Sequence, residues 1–513
     1  MSTPSAALNQ LIGNYRSHDQ TQTGIIVTAE NALLEIMVCT ETTIRVNARG
    51  LDQERADSSY AVNTGPEQTD WRLEPRETRL LIHTRRLIVQ IDLYPVRVSF
   101  YTPEGGLINA DDPAFGISWL GETVTAYKTL QSYERFIGLG EKTGNLDRRS
   151  SAYVNWNTDY FGYPPFADPL YASIPFYIGI HSGLIYGIYL DNTHLTRFNF
   201  GAANNRFAAF SADAGPMDYY FFHGASVAEV ISAYTALTGR MPLPPIWSLG
   251  YQQCRYSYFP DTEVLRVART FREKHIPADV IYLDIHYMDD FKVFTWDPER
   301  FADPAGLVEK LKELEFHTAA IVDPGIKIEE GYEPYADGLE KDVFVKYPDG
   351  QPYAGEVWPG WCHFPDFTNP KTRTWWGKWL KTLTDAGVEG IWCDMNEPAA
   401  WGHQVPDLIE FDHDGRQCTH KKARNIYGMQ MARASYEAAQ KQLSGRRPFV
   451  LTRAGFSGVQ RYAAMWTGDN IADDDHMLAA VRLVNSMGVS GLGFCGCDIP
   501  GFAGEATPAL FAR

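Results

Sequence analysis

The feature that most constrains the fold is a change in hydrophobic periodicity near residue 241. Before that point, branched and apolar side chains recur at every second position, as in Leu34, Ile36 and Val38. A period of two places alternate side chains on opposite faces of a strand, so it predicts strands that are buried on one face. Many short runs of this kind predict an N-terminal β-sandwich over residues 1–240.

The stretch MPLPP at 241–245 separates this region from a second style of sequence. Its prolines cannot donate hydrogen bonds to a sheet, so we place the domain boundary there. Strand-like and amphipathic helix-like runs alternate after it, which predicts a parallel (β/α)8-type TIM barrel over residues 241–513 and a fold class of α/β plus all-β. We expect seven strands at 246–252, 280–285, 318–323, 388–394, 447–452, 463–467 and 491–497, and helices at 262–275, from Pro304 onward, and at about 371–386, 421–443 and 475–487.

Composition narrows the class of function. Apolar residues make up 44% of the chain and charged residues 21%, which is typical of a globular protein with a large core. The net charge of −17 repels phosphate backbones and anionic lipid, so we expect neither nucleic acid nor a membrane as a partner. Aromatic residues make up 13%, which suits a protein that stacks on sugar rings and equally suits a large aromatic core.

Targeting and redox features point to a reducing compartment. The N-terminal sequence lacks a basic segment followed by a long apolar run, and no stretch reaches the roughly 18 apolar residues that cross a bilayer. The seven cysteines are odd in number and scattered, which does not indicate a disulfide framework. Cys495 and Cys497 lack a second pair at zinc-binding spacing, so we expect structural thiols. Together these features predict a cytoplasmic protein.

Acidic side chains follow most of the predicted barrel strands. The carboxyl ends of parallel barrel strands meet at one rim, so we expect these groups to converge. The expected rim residues are Asp284, Asp323, Asp394, Glu397, Arg453, Asp469 and Asp498, with Trp392 and Trp466 beside two of them. A single Asp at a strand end often only caps a loop or helix, but five or six acids on one rim favour chemistry.

This set of side chains suits the cleavage of glycosidic bonds. The reaction needs two carboxyl groups that flank the bond between the sugar C1 and the leaving oxygen. One is ionised and attacks or stabilises C1. The other holds a proton for the leaving group, so its pKa must be raised. Aromatic walls bind the apolar faces of sugars, and an Arg or a further Asp binds their hydroxyls. We expect no metal and no cofactor.

Several motifs resemble those of glycoside hydrolase family 31, in its α-glucosidase-like branch. The run GIWCDMNEP at 390–398 closely resembles the nucleophile signature of the family, and the stretch from Arg453 to WTGDN at 466–470 resembles its acid/base segment. Further similar segments are GLGEKTG at 138–144, WNTD at 156–159 and DPLYASIPF at 168–176. The resemblance covers roughly residues 130–513 and implies a galactose-mutarotase-like β-sandwich at the start of the chain.

The resemblance implies a pair of reacting carboxylates. Asp394 is expected to be the nucleophile that forms a covalent glycosyl-enzyme. Asp469 is expected to be the general acid and then the general base that activates water, with retention of configuration. Glu397 lies beyond the strand end, so we expect it to support these two groups or to be structural.

The resemblance also implies residues that bind the substrate. Asp284 and Arg453 are expected to bind hydroxyls of the −1 sugar, and Asp159 is expected to reach from the β-sandwich to the +1 sugar. Asp498 is expected to support them. The expected walls of the pocket are Ile285, Ile326, Trp358, Trp392, Met395, Trp466 and Phe502.

The sequence leaves several activities open. The Met-Asn-Glu that follows the nucleophile resembles α-glucosidases, which favours the hydrolysis of terminal α-linked glucose from oligosaccharides or α-glucosides. The same residues would serve an α-glucosyltransferase, an α-xylosidase or an α-glucan lyase, since sequence alone does not separate these reactions. A metal-dependent hydrolase that uses the Asp cluster is a weaker hypothesis, because no pair of histidines accompanies the acids.

The C-terminal end of the sequence departs from the family pattern. The family continues into an eighth barrel strand with a pocket His and then into C-terminal β domains, whereas this sequence stops at Arg513. We therefore expect a barrel that is incomplete after about its seventh strand and has exposed sheet edges. Two hypotheses follow. Either a downstream polypeptide completes the barrel, or the chain is an inactive or split carbohydrate-binding fragment.

Overall fold

The computed structural model describes residues 10–53 and 58–513. Within them, one region consists almost entirely of strands, and in a second region strands and helices alternate. Among the helices of the described residues, none is both long enough and apolar enough to span a membrane.

The first region contains many short strands and one α-helix. Their bounds are β1 Gln10–Leu11, β2 Tyr15–Gln20, β3 Gly24–Ala29, β4 Ala32–Val38, β5 Thr43–Gly50, β6 Arg72–Arg76, β7 Arg79–His83, β8 Ile88–Leu93, β9 Val96–Tyr101, β10 Leu107–Ala110, β11 Ile117–Leu120, β12 Thr123–Thr129, β13 Arg135–Gly138, β14 Ala152–Asn155, β15 Ala172–Ser173, β16 Phe176–His181, β17 Leu184–Leu190, β18 Thr196–Asn199, β19 Phe207–Ala212, β20 Met217–Gly224 and α1 Val227–Thr238.

Three antiparallel sheets surround the core of this region. The largest has eight strands in the order β13-β16-β17-β20-β5-β4-β3-β2, and the other two have six and five strands. Alternate side chains enter one shared core, where the rings of Phe100 and Phe221 stack at 3.8 Å. Leu34, Ile36 and Val38 are all buried in it, so the predicted β-rich N-terminal region is confirmed.

The eight-stranded sheet is also buried on its other face. Its side chains there pack on α1 through Val230 and Tyr234, and on the second region through residues such as Met429. The sequence analysis missed α1 because it treated the whole segment before residue 241 as strands. The signal was present, since Ser226 caps the helix by accepting a hydrogen bond from the N–H of Glu229.

The second region contains the remaining elements. Their bounds are β21 Gln252–Gln253, α2 Asp261–Glu273, β22 Val280–Leu283, α3 Pro304–Glu313, β23 His317–Val322, β24 Ile326–Lys327, α4 Glu333–Glu340, β25 Ala354–Val357, β26 Gly360–His363, α5 Pro370–Asp385, β27 Gly390–Cys393, β28 Glu410–Phe411, β29 Cys418–Thr419, α6 His420–Gln442, β30 Phe449–Thr452, β31 Gly455–Phe456, β32 Ala464–Trp466, α7 Asp474–Val489, β33 Cys495–Gly496 and α8 Pro508–Ala512.

Seven parallel strands form the sheet of this region, in the order β21-β22-β23-β27-β30-β32-β33. This confirms the predicted barrel topology and its seven strands, with β21 and β33 at the two ends of the sheet. A small antiparallel sheet, β24-β26-β25, is inserted after the third of these strands. The strand order brings the carboxyl ends of all seven to one edge.

Two predicted strands are wrong in extent. Residues 246–252 were expected to form a strand, but Ile246–Leu249 is a 3-10 helix and only Gln252–Gln253 pairs in the sheet. The turn forms because Ser248 donates from both its backbone N–H and its hydroxyl to the carbonyl of Pro245. The strand expected at 491–497 is confined to Cys495–Gly496, because α7 continues to Val489 and a turn follows it.

Candidate active site

The parallel strands place charged side chains at one edge of the sheet. Each follows a different strand, so the convergence is a consequence of topology. Asp284 follows β22, Asp323 follows β23, Asp394 follows β27, Arg453 follows β30, and Asp469 and Asp498 lie in the loops that follow β32 and β33.

Arg453 lies at the centre of this cluster, and only 2% of its side chain is exposed. Its Nε lies 3.0 Å from Asp394 Oδ1, and its Nη1 lies 3.3 Å from Asp469 Oδ2. Its Nη2 lies 3.4 Å from Asp159 Oδ1. Nε and Nη2 each donate to one oxygen of Glu397 at 2.9 Å. One guanidinium therefore lies within 3.4 Å of four carboxyl groups, among them those of Asp394 and Asp469.

One carboxylate oxygen of Asp394 is buried without a hydrogen bond from the described residues. Its Oδ1 accepts no hydrogen bond from any described group, although the charge of Arg453 lies 3.0 Å away. The N–H of Arg453 Nε points at Glu397 instead. Burial raises the pKa of Asp394 to about 6, with Arg453 lowering it and Asp469 raising it. At neutral pH this carboxylate is largely ionised, as a nucleophile must be.

Asp469 has the surroundings of a proton donor. Burial raises the pKa of its carboxyl above the usual range, and the neighbouring Asp159 and Glu397 raise it further against the opposing effect of Arg453. Its side chain is 16% exposed, so a substrate can reach it. An accessible carboxyl whose pKa is raised is suited to donate a proton to a leaving group.

Glu397 cannot touch a substrate, because its side chain is fully buried. Both of its oxygens are occupied by Arg453. Glu397 therefore contacts Arg453, and the supporting role expected for it stays a prediction. It holds Arg453 in orientation.

Asp284 and Asp498 are further acids of the same edge. Burial raises the pKa of each to about 7, and the negative charges of Asp394 and Asp469 contribute to both shifts. Asp284 Oδ1 accepts a hydrogen bond from the N–H of Ile285 at 2.7 Å. Near neutral pH such carboxyls either accept or donate a hydrogen bond, so they suit sugar hydroxyls.

Asp159 comes from the first region, in the connection between β14 and β15. Its approach depends on Asn157, whose backbone N–H donates to the side chain of Asn425 on α6 at 2.9 Å. The amide of Asn157 also donates to the carbonyls of Asn425 and Gly455. These buried bonds bring Asp159 to Arg453, as the predicted +1 role requires.

Aromatic rings flank the acids. Trp392 contacts Trp466 edge-to-face at 5.7 Å, and Trp358 lies 4.8 Å from the ring of Trp401. Phe502 contacts Phe161 of the first region at 6.0 Å. That Trp358, Trp392, Trp466 and Phe502 line a sugar site stays a prediction.

The predicted aliphatic walls lie deeper. Ile285 and Ile326 are buried at 1% and 0% exposure, so their side chains offer almost no surface to a substrate. Met395 lies with its sulfur 3.2 Å from Arg453 Nη2 and has φ of 54°, a left-handed backbone that is unusual outside glycine. Such strain is common beside reactive groups.

Two residues of the cluster had no predicted role. Asp323 was visible at a strand end, and its buried Oδ1 has no hydrogen-bond partner among the described residues. Burial raises the pKa of Asp323 well above its usual range, and the charge of Asp394 raises it further. Tyr171 places its ring 4.9 Å from the Arg453 guanidinium. It lies in a segment that the resemblance singled out, but no spacing in the sequence connects it to Arg453.

Two protein-family models match the chain. Residues 241–513 match the Glycosyl hydrolases family 31 TIM-barrel domain, and residues 33–199 match the Glycosyl hydrolase 31 N-terminal galactose mutarotase-like domain. Among curated proteins, the chain is 41% identical to "Alpha-glucosidase 2" of Bacillus thermoamyloliquefaciens, over 98% of this chain and 64% of that protein. It is 34% identical to "Alpha-glucosidase" of Saccharolobus solfataricus, over 75% of this chain and 58% of that protein.

Solved structures give the same picture. The chain superposes on the Flavobacterium johnsoniae GH31 dextranase complexed with glucose with a TM-score of 0.89 and 30% identity, over 97% of this chain and 62% of that one. A glucosidase II alpha subunit superposes with a TM-score of 0.87 and 26% identity, over 99% and 65%. The chain therefore spans roughly three fifths of the length of these relatives.

Proposed function

Since the chain belongs to glycoside hydrolase family 31, we propose that it hydrolyses terminal α-linked glucose from oligosaccharides or α-glucosides, with retention of configuration. The observation that carries the proposal is that Arg453 binds Asp394 and Asp469 at once. Two carboxyl groups held beside one guanidinium are suited to act on the same sugar. The names of the α-glucosidase relatives support the same substrate class.

In the first step, an oxygen of Asp394 attacks the anomeric carbon. The bond between C1 and the glycosidic oxygen breaks, and its electron pair leaves with that oxygen. Asp469 gives its proton to the departing oxygen, so the leaving group departs as an alcohol. The product of this step is a glucosyl ester of Asp394, with inverted configuration at C1.

In the second step, the Asp469 carboxylate takes a proton from a water molecule. The water oxygen bonds to C1, and the ester bond to Asp394 breaks with its electron pair returning to the carboxylate. A second inversion at C1 gives net retention. Arg453 supports both steps, because its positive charge keeps Asp394 largely ionised beside a neighbouring acid.

The burial of the residues at this edge supports an exo-acting enzyme. Asp284 is only 5% exposed and Ile326 is fully buried, so both lie in packed protein. A site whose inner residues are buried accommodates the terminal unit of a chain better than an internal one. Asp284 and Asp498 would bind its hydroxyls there, and Asp159 would reach the +1 sugar.

We further propose that another polypeptide packs beside the sheet. Exposed apolar side chains lie near both of its end strands, with Ile246 and Leu249 near β21 and Val481 and Ile499 near β33. Exposed apolar side chains mark interaction sites where they form one patch. Assaying the chain with and without the polypeptide encoded next to it tests this, with higher activity and solubility expected in its presence. We also propose a cytoplasmic location, which fractionation of the source cells would test.

The proposed function is tested by the anomer of the first product. The chain is incubated with a panel of aryl α-glycosides, maltose and isomaltose, and proton NMR spectra are recorded from the first minutes. Release of α-glucose before mutarotation, with none from Asp394→Asn, is the expected result. Release of β-glucose would contradict retention, and preference for α-xylosides would change the substrate. A transglycosylation product or an unsaturated sugar would favour the transferase or the lyase.

A further inference from the structure

We propose that Tyr171, a residue of the strand-rich first region, positions the acid/base Asp469 for proton transfer. This inference rests on the proposed function and adds to it a residue that touches neither substrate nor reacting atoms. Tyr171 is fully buried, and its hydroxyl lies against the backbone of Asp469.

Hydrogen bonds from the first region hold the acid/base segment at two adjacent points. The Tyr171 hydroxyl accepts from the N–H of Asp469 at 3.3 Å and donates to the carbonyl of Tyr160 at 2.7 Å. The N–H of Gly162 donates to the carbonyl of Asp469 at 2.9 Å. Both backbone groups of Asp469 are therefore bound by residues 160–171. Tyr163 adds a third bond, from its hydroxyl to the carbonyl of Thr467 at 2.9 Å.

The ring of Tyr171 also restricts the position of the Asp469 segment by direct steric contact. Gly468 has φ of +63°, and a Cβ on it would lie 2.1 Å from the Tyr171 ring. The segment can approach the ring this closely only because residue 468 is glycine. On its other side the ring lies 4.9 Å from the Arg453 guanidinium, within the range of a cation–π contact. Tyr171 is thus in contact with the Asp469 segment and with Arg453.

Tyr171 is itself rigidly placed. The next two residues form β15, which pairs in parallel with β31, so that Ala172 lies beside Gly455. The N–H of Ala172 also donates to Glu141 Oε2 at 2.8 Å. Since β31 begins two residues after Arg453, this pairing ties the position of Tyr171 to that of Arg453.

Loss of the Tyr171 hydroxyl would affect proton donation by Asp469 but not attack by Asp394. The N–H of Asp469 would lose its acceptor in a partly buried place, and the loop that carries the carboxyl would shift. Proton donation depends on the position of that carboxyl relative to the leaving oxygen, whereas attack by Asp394 does not. The effect should therefore grow as the leaving group becomes more basic.

The test compares Tyr171→Phe with the unsubstituted full chain on aryl α-glucosides of graded leaving-group pKa and on maltose. The readout is kcat/KM, which reports steps through bond cleavage. We expect near-normal kcat/KM on the best leaving group and a loss of about tenfold to a hundredfold on maltose, a part of what general acid catalysis supplies. Equal loss on all substrates, or no loss on any, overturns the inference.

Tyr332→Phe is the matched control, because Tyr332 is also buried and donates to a backbone carbonyl, that of Val293, away from the site. It should lower stability without changing the leaving-group dependence. If Tyr171→Phe cannot be purified, Tyr163→Phe removes a neighbouring bond to the same segment, that from the Tyr163 hydroxyl to the carbonyl of Thr467. A smaller increase in leaving-group dependence is expected, and an unchanged dependence overturns the inference. Failure of the proposed function is distinguishable, since Asp394→Asn would then retain turnover.

Discussion

Arg453 and Glu397 form a two-point ion pair in which Nε and Nη2 each lie 2.9 Å from one carboxylate oxygen. Solvent does not reach this pair. Because the guanidinium is planar, binding one of its edges fixes the direction of all its nitrogens. The contacts of Arg453 with Asp394 and Asp469 therefore depend on a residue that the substrate never meets.

Glu397→Gln should reduce both stability and kcat. The amide removes one negative charge beside a buried Arg453, which should lower the free energy of unfolding by about 3 kcal/mol. We expect kcat to fall by about tenfold or more and KM to change less, because orientation matters most in the transition state. Chemical denaturation and steady-state kinetics measure the two effects.

The control for this variant is Glu35→Gln. Glu35 forms a buried ion pair with Arg49 at 3.3 Å in the first region, outside the site. It should lose stability and keep kcat. If Glu397→Gln behaved in the same way, Glu397 would be structural and Arg453 would keep its orientation without it.

Asp469→Ala should separate substrates by leaving group. Without the proton donor, kcat/KM on maltose should fall by about 10²–10⁴-fold, while an activated aryl α-glucoside should lose far less. Azide should accelerate turnover of the activated substrate and form a glucosyl azide, because it needs no general base. Uniform loss on all substrates, with no azide effect, would remove Asp469 from the acid/base role.

The pH profile of kcat/KM should be bell-shaped. Activity should rise as pH increases through about 6, where Asp394 ionises. The proposed role of Asp469 as general acid predicts a fall at higher pH, and burial raises the pKa of its carboxyl. The charge of Asp159 raises both pKa values. Asp159→Asn should therefore move both limbs to lower pH.

Asp385→Asn is the control for the pH profile, since Asp385 is an exposed residue of α5. Its profile should match that of the unsubstituted chain. If Asp159→Asn moved neither limb, or moved only one, then the charge of Asp159 would not raise the pKa of both acids.

Glu141 should give stability that depends on pH. It is fully buried with one oxygen lacking a hydrogen-bond partner among the described residues, and burial raises its pKa to about 8. A carboxyl whose pKa is raised in the folded state stabilises the fold while it is protonated. This contribution is complete at pH values below the ordinary carboxyl pKa, and it is lost as the pH rises through about 8. Glu141→Gln cannot ionise. Its free energy of unfolding should match that of the unsubstituted chain within about 1 kcal/mol at pH 5 and exceed it above pH 8.

Thermal unfolding of both proteins at each pH checks this, and only the difference between them counts, because Asp284 and Asp498 have raised pKa values as well. A constant difference across the pH range would mean that Glu141 is already ionised in the folded protein.

Topology explains what the sequence could predict of the site. Asp284, Asp394 and Arg453 follow strands directly, so a correct strand assignment was sufficient to place them on one edge. Glu397 was predicted as a supporting residue only because of the resemblance. Its two-point contact with Arg453 depends on a loop conformation that hydrophobic periodicity does not encode.

Long-range packing explains what the sequence could not predict. Tyr171 and Asp469 are 298 residues apart, and they meet only because the first region folds against the second. At Ile246, by contrast, the local sequence predicted a strand that the structure does not form. Its apolar neighbours suggested a strand, yet it is 84% exposed in a turn that a serine and a proline close.

The central claim is that Asp394 forms the covalent bond to the sugar. Asp469, which lies at a different nitrogen of the same Arg453 guanidinium, donates the proton to the leaving group and later takes one from water. The most direct measurement is to trap the intermediate with 5-fluoro-α-glucosyl fluoride, digest the protein and sequence the labelled peptide by mass spectrometry. The account predicts one fluoroglucosyl group, on Asp394. Labelling of another carboxylate, or steady turnover of the reagent by Asp394→Asn, would contradict it.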